Sequence, residues 1–509
     1  MSPLLAIVEP GPTALLLAVV GVLLLTATLF SRTVDKLGVP VVLLFLLLGV
    51  FAGSETAGFL RFDDHLLAMR LGTLALVLIL FDGGLNTRMS AVRAAGAPAL
   101  VLATVGVLLT AGLVALVARL LGLTWPQALL VGAVVSSTDA AAVFSILRGG
   151  GIRLPPRLGG TLELESCLND PVAVLLTTSL VAALAVGAAG VAGGGGGGSE
   201  FSAWSLLLSI PLQLGIGTVV GLAVGWLGRW LLSRATLTTV GLYPTITLAF
   251  ALVAFGVATL ANGSGFLAVF LAALVLGNGP LPYRNGLVRV HDAAAWLSQI
   301  AMFGMLGLLV RPSALFTWEV AVPGLAIGLF LAFVARPLAV GLCLLPFRFP
   351  KAWTLYAGWT GLRGAVPIVL ATFPKIAGVP GADGLFQLVF FIVLTSSLVP
   401  GTTIRWVTRR LGLMSAQTPQ PAAVLEVNAA FELDGELVSF HIHDEVAVCG
   451  AKLKDITLPK DAAVTLIVRG RQLVPAKGPA VLHEGDHAYV FFREEDRFLI
   501  ELLFGAPEG

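Results

Sequence analysis

The stretch on which the fold turns lies within residues 159–187: Leu162-Glu163-Leu164-Glu165-Ser166-Cys167-Leu168-Asn169-Asp170-Pro171-Val172-Ala173-Val174-Leu175-Leu176. Its flanks are apolar for long enough to cross a bilayer, which takes roughly 20 such residues. Yet two glutamates, a serine, an asparagine and an aspartate stand inside it. Ionisable groups in lipid are costly and mark function by default. Glu165 and Asn169 are four apart, as are Ser166 and Asp170, so each pair shares a helical face. Pro171 lacks an N–H, which leaves the Cys167 carbonyl without its helical donor. A carboxylate, a hydroxyl, an amide and a carbonyl can therefore converge on one small volume. These are hard oxygen ligands of the kind that suits an alkali cation. The plainer alternative is a polar seam that only packs helices.

The rest of the chain supplies the setting for that stretch. The 509 residues are 57% hydrophobic and 12% charged, with a mean hydropathy of +0.95. A soluble domain carries about 25% charge, so most of this chain belongs in lipid. The bilayer ruler predicts about thirteen spans between residues 13 and 404, including 66–85, 125–147, 159–187, 318–346 and 351–373. The first apolar run follows no basic segment and reads as a retained helix. One set of alternate loops holds Arg32, Lys36, Arg88, Arg93, Arg148, Arg153, Arg157, Arg229, Arg234, Arg284, Arg289, Arg348 and Lys351, and the segment after the last span adds Arg405, Arg409 and Arg410. The opposite loops hold Arg61, Arg119, Arg311 and Lys375. Short-loop Lys/Arg bias sets orientation, so the N-terminus is expected outside, the C-terminus inside and the number of spans odd. Cys167, Cys343 and Cys449 are far apart and make neither a disulfide pattern nor a zinc motif. Val191–Glu200, with six consecutive glycines, reads as a flexible tether.

Ionisable residues within the spans are Asp82, Asp139, Glu163, Glu165, Asp170, Arg336 and Arg363. The excess of acids favours a cation. Val135-Ser136-Ser137-Thr138-Asp139-Ala140-Ala141 in the fifth span is rich in residues that compete for backbone hydrogen bonds. Thr360-Gly361-Leu362-Arg363-Gly364-Ala365-Val366-Pro367 in the twelfth carries two glycines and a proline. These occupy the fifth position of spans one to six and of spans eight to thirteen, where an inverted repeat would put paired broken helices around a binding site. Asp139 would then balance two positive half-helix ends and Arg363 two negative ones. A softened but continuous helix is the alternative. Asp82, in Phe81-Asp82-Gly83-Gly84, either lines the inner entrance or snorkels to the interface. Glu163, near its helix start, suits the dipole. Arg336 either pairs with a core acid or reaches the cytoplasmic interface.

Beyond Arg410 the composition turns mixed. Leu437–His443 alternates like a strand, 463–474 reads as a hairpin about Gly470, and His487–Phe492 reads as another strand after a Gly485-Asp486 turn. The fold class expected is an all-α polytopic membrane protein of about 13 transmembrane helices with inverted repeats and two discontinuous crossing helices. It is followed by a small C-terminal α+β cytoplasmic domain. The expected division is 1–412 for the membrane part and 413–509 for the tail. The tail's His441, His443, His483 and His487 either sense pH or are scattered surface residues.

Phe81-Asp82-Gly83-Gly84-Leu85, Ser137-Thr138-Asp139, Glu165-Ser166-Cys167-Leu168-Asn169-Asp170-Pro171, Asn262-Gly263-Ser264-Gly265-Phe266 and Gly361-Leu362-Arg363-Gly364-Ala365-Val366 resemble the cation:proton antiporter-1 family, the NhaP-like exchangers. Gly450-Ala451-Lys452-Leu453, Leu458-Pro459, Ile467-Val468-Arg469-Gly470 and Gly485-Asp486 resemble a TrkA-C (RCK-C) module without a preceding Gly-x-Gly-x-x-Gly half. That combination is similar to the family's potassium/proton branch.

The resemblance implies that Asp170 is the exchanged site, that Thr138 and Ser166 add oxygens, and that Asn169 sits beside Asp170. It implies a buried Glu165–Arg363 ion pair, with Asp139 stabilising the crossing, and a homodimer with a mobile core. It implies a secondary antiporter in a bacterial inner membrane, exchanging K+ or Na+ for H+ by alternating access under control of the tail, to which a regulatory nucleotide could bind. Ala140 departs from the family pattern, which often has proline there. A carboxylate that cannot hold a proton and a cation together couples the two fluxes, and a single such acid implies electroneutral exchange. A tail-gated cation channel is the rival, against which no TVGYG-like filter occurs. No catalytic triad or metal motif stands in the spans, so no enzyme, resident metal or catalytic residue is expected, nor a nucleic-acid partner.

Overall fold

The computed structural model describes residues 11–37, 40–56, 62–149, 154–192, 203–234, 239–279, 281–414, 435–470 and 472–505, with 58, 60, 152, 237 and 507. The glycine tether (from residue 193), Arg61, Arg153, Arg471 and the start of the tail lie outside them. The described residues divide into two compact units, one within Met1–Gly279 and Val288–Ser415, the other within Pro280–Leu287 and Ala416–Gly509.

The first unit begins with α1 (Gly11–Leu37), α2 (Val41–Ala52), α3 (His65–Asn86), α4 (Met89–Val101), α5 (Val107–Leu120), α6 (Trp125–Val134), α7 (Ala140–Gly149) and α8 (Pro156–Ala192). It continues with α9 (Ala203–Leu232), α10 (Leu242–Leu260), α11 (Gly265–Gly277), α12 (Arg284–Leu308, begun in the other unit), α13 (Pro312–Leu315), α14 (Trp318–Phe330), α15 (Arg336–Leu344), α16 (Lys351–Trp359), α17 (Ala365–Leu370), α18 (Thr372–Ile376) and α19 (Ala382–Arg410). Among the described residues seven helical stretches are long and apolar enough to cross a membrane, and five shorter apolar helices accompany them. The expectation of about thirteen spans thus does not appear as thirteen full-length helices. A 20-residue ruler fuses two half-helices and the break between them into one apolar run, as at 125–147 and 351–373.

Among the described residues two helices carry a π-turn. Leu102–Gly106 joins α4 to α5, and Leu331–Ala335 joins α14 to α15. Such wide turns recur at functional positions in helices.

Glycines bring several helices into backbone contact. On α9, Gly217, Gly221 and Gly225 lie four apart and face Ser264, Ala268 and Ala272. A Cβ at Gly221 would lie 2.6 Å from the Ala268 carbonyl oxygen. Small residues at this spacing let helices in lipid approach closely. Between α10 and α11 the chain reverses at Asn262, whose φ is 58°, a conformation that asparagine tolerates better than most residues.

The second unit holds β1 (Glu436–His441), β2 (Ala463–Arg469), β3 (Gln472–Pro475), β4 (Asp486–Phe492) and α20 (Arg497–Phe504). The strands form an antiparallel sheet of order β1-β4-β2-β3. Ala488, Val490 and Phe492 alternate into a core with Phe440, Ile467, Ile500 and Phe504, as period-2 pleating requires. The β2–β3 turn uses Gly470 at φ 59°.

Candidate cation site at the crossing of two broken helices

The fifth and twelfth spans both unwind. α6 stops at Val134 and α7 begins at Ala140; α16 stops at Trp359 and α17 begins at Ala365. Ser136 contributes to the first break, because its hydroxyl donates to the Ala133 carbonyl at 2.6 Å, the local competition that weakens a helix interior. The two unwound segments meet: the Asp139 N–H donates to the Leu362 carbonyl at 2.8 Å.

Charge compensates the exposed ends. Arg363, only 1% exposed, donates from Nη1 to the Ser136 and Ser137 carbonyls at 2.9 and 2.5 Å. Those carbonyls lie just beyond the C-terminal, negative end of α6. The Asp139 carboxylate accepts from the Ala142 N–H at 3.2 Å, at the N-terminal, positive end of α7. Gly364 has no Cβ, and one there would collide with the Asp139 carboxylate.

α8 runs past this crossing and continues through Pro171. Glu163, Ser166, Cys167 and Asp170 sit at i, i+3, i+4 and i+7 and line one cavity of about 500 Å³, as one helical face should. The Ser166 hydroxyl donates to the Thr138 carbonyl at 2.8 Å and accepts from the Ala140 N–H at 3.0 Å. Asn169, fully buried, donates from Nδ2 to the Thr138 hydroxyl at 2.5 Å. Thr138, Asp139, Ser166 and Asp170 therefore share the cavity wall, and Asn169 stands behind it. Asp170 Oδ1 is buried and makes no hydrogen bond. Asp82 lines the same cavity and accepts from Asn86 Nδ2 at 3.0 Å.

One expectation requires correction. Glu165 pairs with Arg336, not Arg363: Arg336 Nη1 lies 2.5 Å from Glu165 Oε1, and Arg336 Nη2 donates to Oε2 at 2.8 Å. The side chains are 1% and 3% exposed. Arg363 is drawn instead to the carbonyls that unwinding frees. Arg336 follows the Leu331–Ala335 π-turn directly and passes over Gly361, where a Cβ would strike its side chain.

Sequence reasoning missed the contribution of α12. Val288, Asp292, Ala295, Trp296, Gln299 and Met302 follow helical spacing along the cavity wall. Asp292 and Gln299, seven apart, were the available signal.

The family profile described as "Sodium/hydrogen exchanger, transmembrane" matches residues 21–410. The K(+)/H(+) antiporter NhaP2 of Shewanella sp. (strain ANA-3) is 39% identical over 496 residues, covering 97% of this chain and 83% of that protein. The K(+)/H(+) antiporter NhaP of Alkalimonas amylolytica is 40% identical over 486 residues, covering 95% and 82%. The solved structure of the sodium proton antiporter MjNhaP1 from Methanocaldococcus jannaschii matches with a TM-score of 0.62 at 23% identity, over 76% of this chain and 99% of that one. That last likeness speaks to the fold.

Proposed function

This chain belongs to the sodium/hydrogen exchanger family, and from that premise we propose that it is a secondary antiporter that exchanges K+, or Na+, for H+ by alternating access. One observation carries the reading: the Asp170 carboxyl stands with an unpaired, buried oxygen on the wall of an acid-lined cavity beside two crossed half-helices. A carboxylate there takes a proton or a cation, not both. If only loaded forms cross, the two fluxes are coupled. A single exchanging acid makes the exchange one for one and electroneutral.

Thr138 and Asn169 hold the shape of the site, Asp139 and Arg363 balance its half-helices, and Asp82 guards its cytoplasmic mouth. The paired π-turns in the fourth and eleventh spans and the paired breaks in the fifth and twelfth support an inverted repeat of two halves within about 13 spans. We assign residues 1–412 to the exchanger, in a bacterial inner membrane with the N-terminus periplasmic, and 413–509 to a cytoplasmic TrkA-C-like regulatory domain. That domain is a candidate for a nucleotide ligand. The working form is a homodimer, and the chain is not an enzyme.

The test is reconstitution into proteoliposomes with a trapped pH dye. An outward potassium gradient should drive proton uptake without current, and Asp170→Asn should abolish it. Proton flux that survives Asp170→Asn would end this reading. A potassium current would favour the tail-gated channel.

A further inference from the structure

Four side-chain hydroxyls gather at the crossing of α8 with the unwound turn: Ser136, Ser137, Thr138 and Ser166. Three are committed. Ser136 donates to the Ala133 carbonyl, Thr138 accepts from Asn169, and Ser166 bridges the Thr138 carbonyl and the Ala140 N–H. Ser137 is the exception. It is 1% exposed, lines the cavity with Asp170, and its hydroxyl faces the Asp170 carboxyl without reaching the geometry of a well-formed hydrogen bond to it or to another group. A buried hydroxyl without a partner is costly and calls for explanation.

We infer that Ser137 is a ligand of the transported cation, its hydroxyl oxygen joining the Asp170 carboxylate in the site whose wall Ser166 and Thr138 share. The inference rests on the antiport reading above and names the oxygen that reading leaves out. A hydroxyl offers lone pairs to a cation and can also donate to a carboxylate, so one side chain serves the loaded and the empty state alike. The turn is fixed for this task because Arg363 holds the Ser136 and Ser137 carbonyls from the other side. The backbone is clamped while the hydroxyl stays free to turn between the Asp170 carboxylate and a cation.

The test uses the full chain in proteoliposomes. Half-saturating concentrations of K+, Na+, Rb+ and Tl+ and the rate at saturating cation are measured for the parent, Ser137→Ala, Ser137→Thr, Ser137→Cys and Asp170→Asn. Ser137→Ala should raise the half-saturating cation concentration about ten-fold, the scale of one lost ligand contact, with a smaller change in the saturated rate. Because H+ and cation compete at one carboxylate, the activity profile at fixed K+ should move about one pH unit to the alkaline side. Ser137→Thr, which keeps the hydroxyl, should recover most of the affinity. Ser137→Cys puts a soft sulfur in its place and should raise the preference for Tl+ over K+, a gain that does not depend on how well the alanine variant folds. Unchanged half-saturation in Ser137→Ala with an inactive Asp170→Asn overturns this inference and spares the antiport reading. An active Asp170→Asn overturns both. A Ser137→Ala that loses only saturated rate, or a Ser137→Cys with unaltered Tl+ preference, assigns Ser137 a structural role and overturns the inference.

Discussion

Removing the Glu165 carboxylate should destabilise the protein far more than removing it together with Arg336. The pair has two short contacts, at 2.5 and 2.8 Å, and almost no exposure. Taking one partner from a buried pair strands the other charge and costs about 3–5 kcal/mol. At 1.36 kcal/mol per decade that is two to four orders of magnitude in the folding equilibrium. Replacing both charges removes the stranded ion, so Glu165→Gln with Arg336→Met should cost far less than either single change. Glu165→Gln with Arg363→Met should couple less strongly, because Arg363 makes no ion pair with Glu165 and is anchored through Nη1 to the Ser136 and Ser137 carbonyls. The measurement is a double-mutant cycle on denaturant unfolding in detergent micelles, with a tryptophan signal. Coupling stronger for Arg363 than for Arg336, or single-variant costs below about 1 kcal/mol, would refute the assignment.

Further outcomes concern the scaffold. Gly221→Val should lower stability by about 1–3 kcal/mol by overpacking α9 against α11, read from the same unfolding curves. Arg311→Ala should cost less than about 1 kcal/mol, since its 3.2 Å contact with Asp63 joins side chains 53% and 68% exposed. In the tail, Asp486 is fully buried and accepts from Arg469 Nε and Nη2 at 2.8 Å and from the His483 N–H at 2.9 Å. Burial alone would raise its pKa, but these bonds outweigh that and hold it below the usual carboxylate range. Its contribution is therefore complete above the unfolded value of about 3.9 and drains away as pH falls through the lower folded value. Asp486→Asn should remove about 1.5–3 kcal/mol at neutral pH, measured by hydrogen exchange of β2 and β4 amides in the full chain. The variant should also abolish the acid-dependent part of that protection.

Much of this was legible because lipid makes polarity conspicuous. Asp170, Asn169 and Ser166 stood out against an apolar run, and the breaks at 135–139 and 360–364 were announced by Ser, Thr, Gly and Pro. The tail strands followed from strict alternation, as at Ala488, Val490 and Phe492. The partner of Glu165 was not legible. Arg336 and Arg363 both sit in suitable spans, and choosing between them requires knowing where unwinding leaves bare carbonyls. Asp292 escaped because it begins its apolar run, where an acid reads as interfacial. Ser137 escaped because three adjacent hydroxyls look equivalent until each hydrogen bond is traced.

The glycine seam between α9 and α11 has a practical corollary. Where main chain rests on main chain there are almost no rotamers to exchange, so relative sliding there has nothing to cushion it. Spectroscopic labels on the outer faces of these two helices should keep a constant separation through the transport cycle. They offer a yardstick against which displacement of α7, α8 and α17 can be calibrated in ångströms.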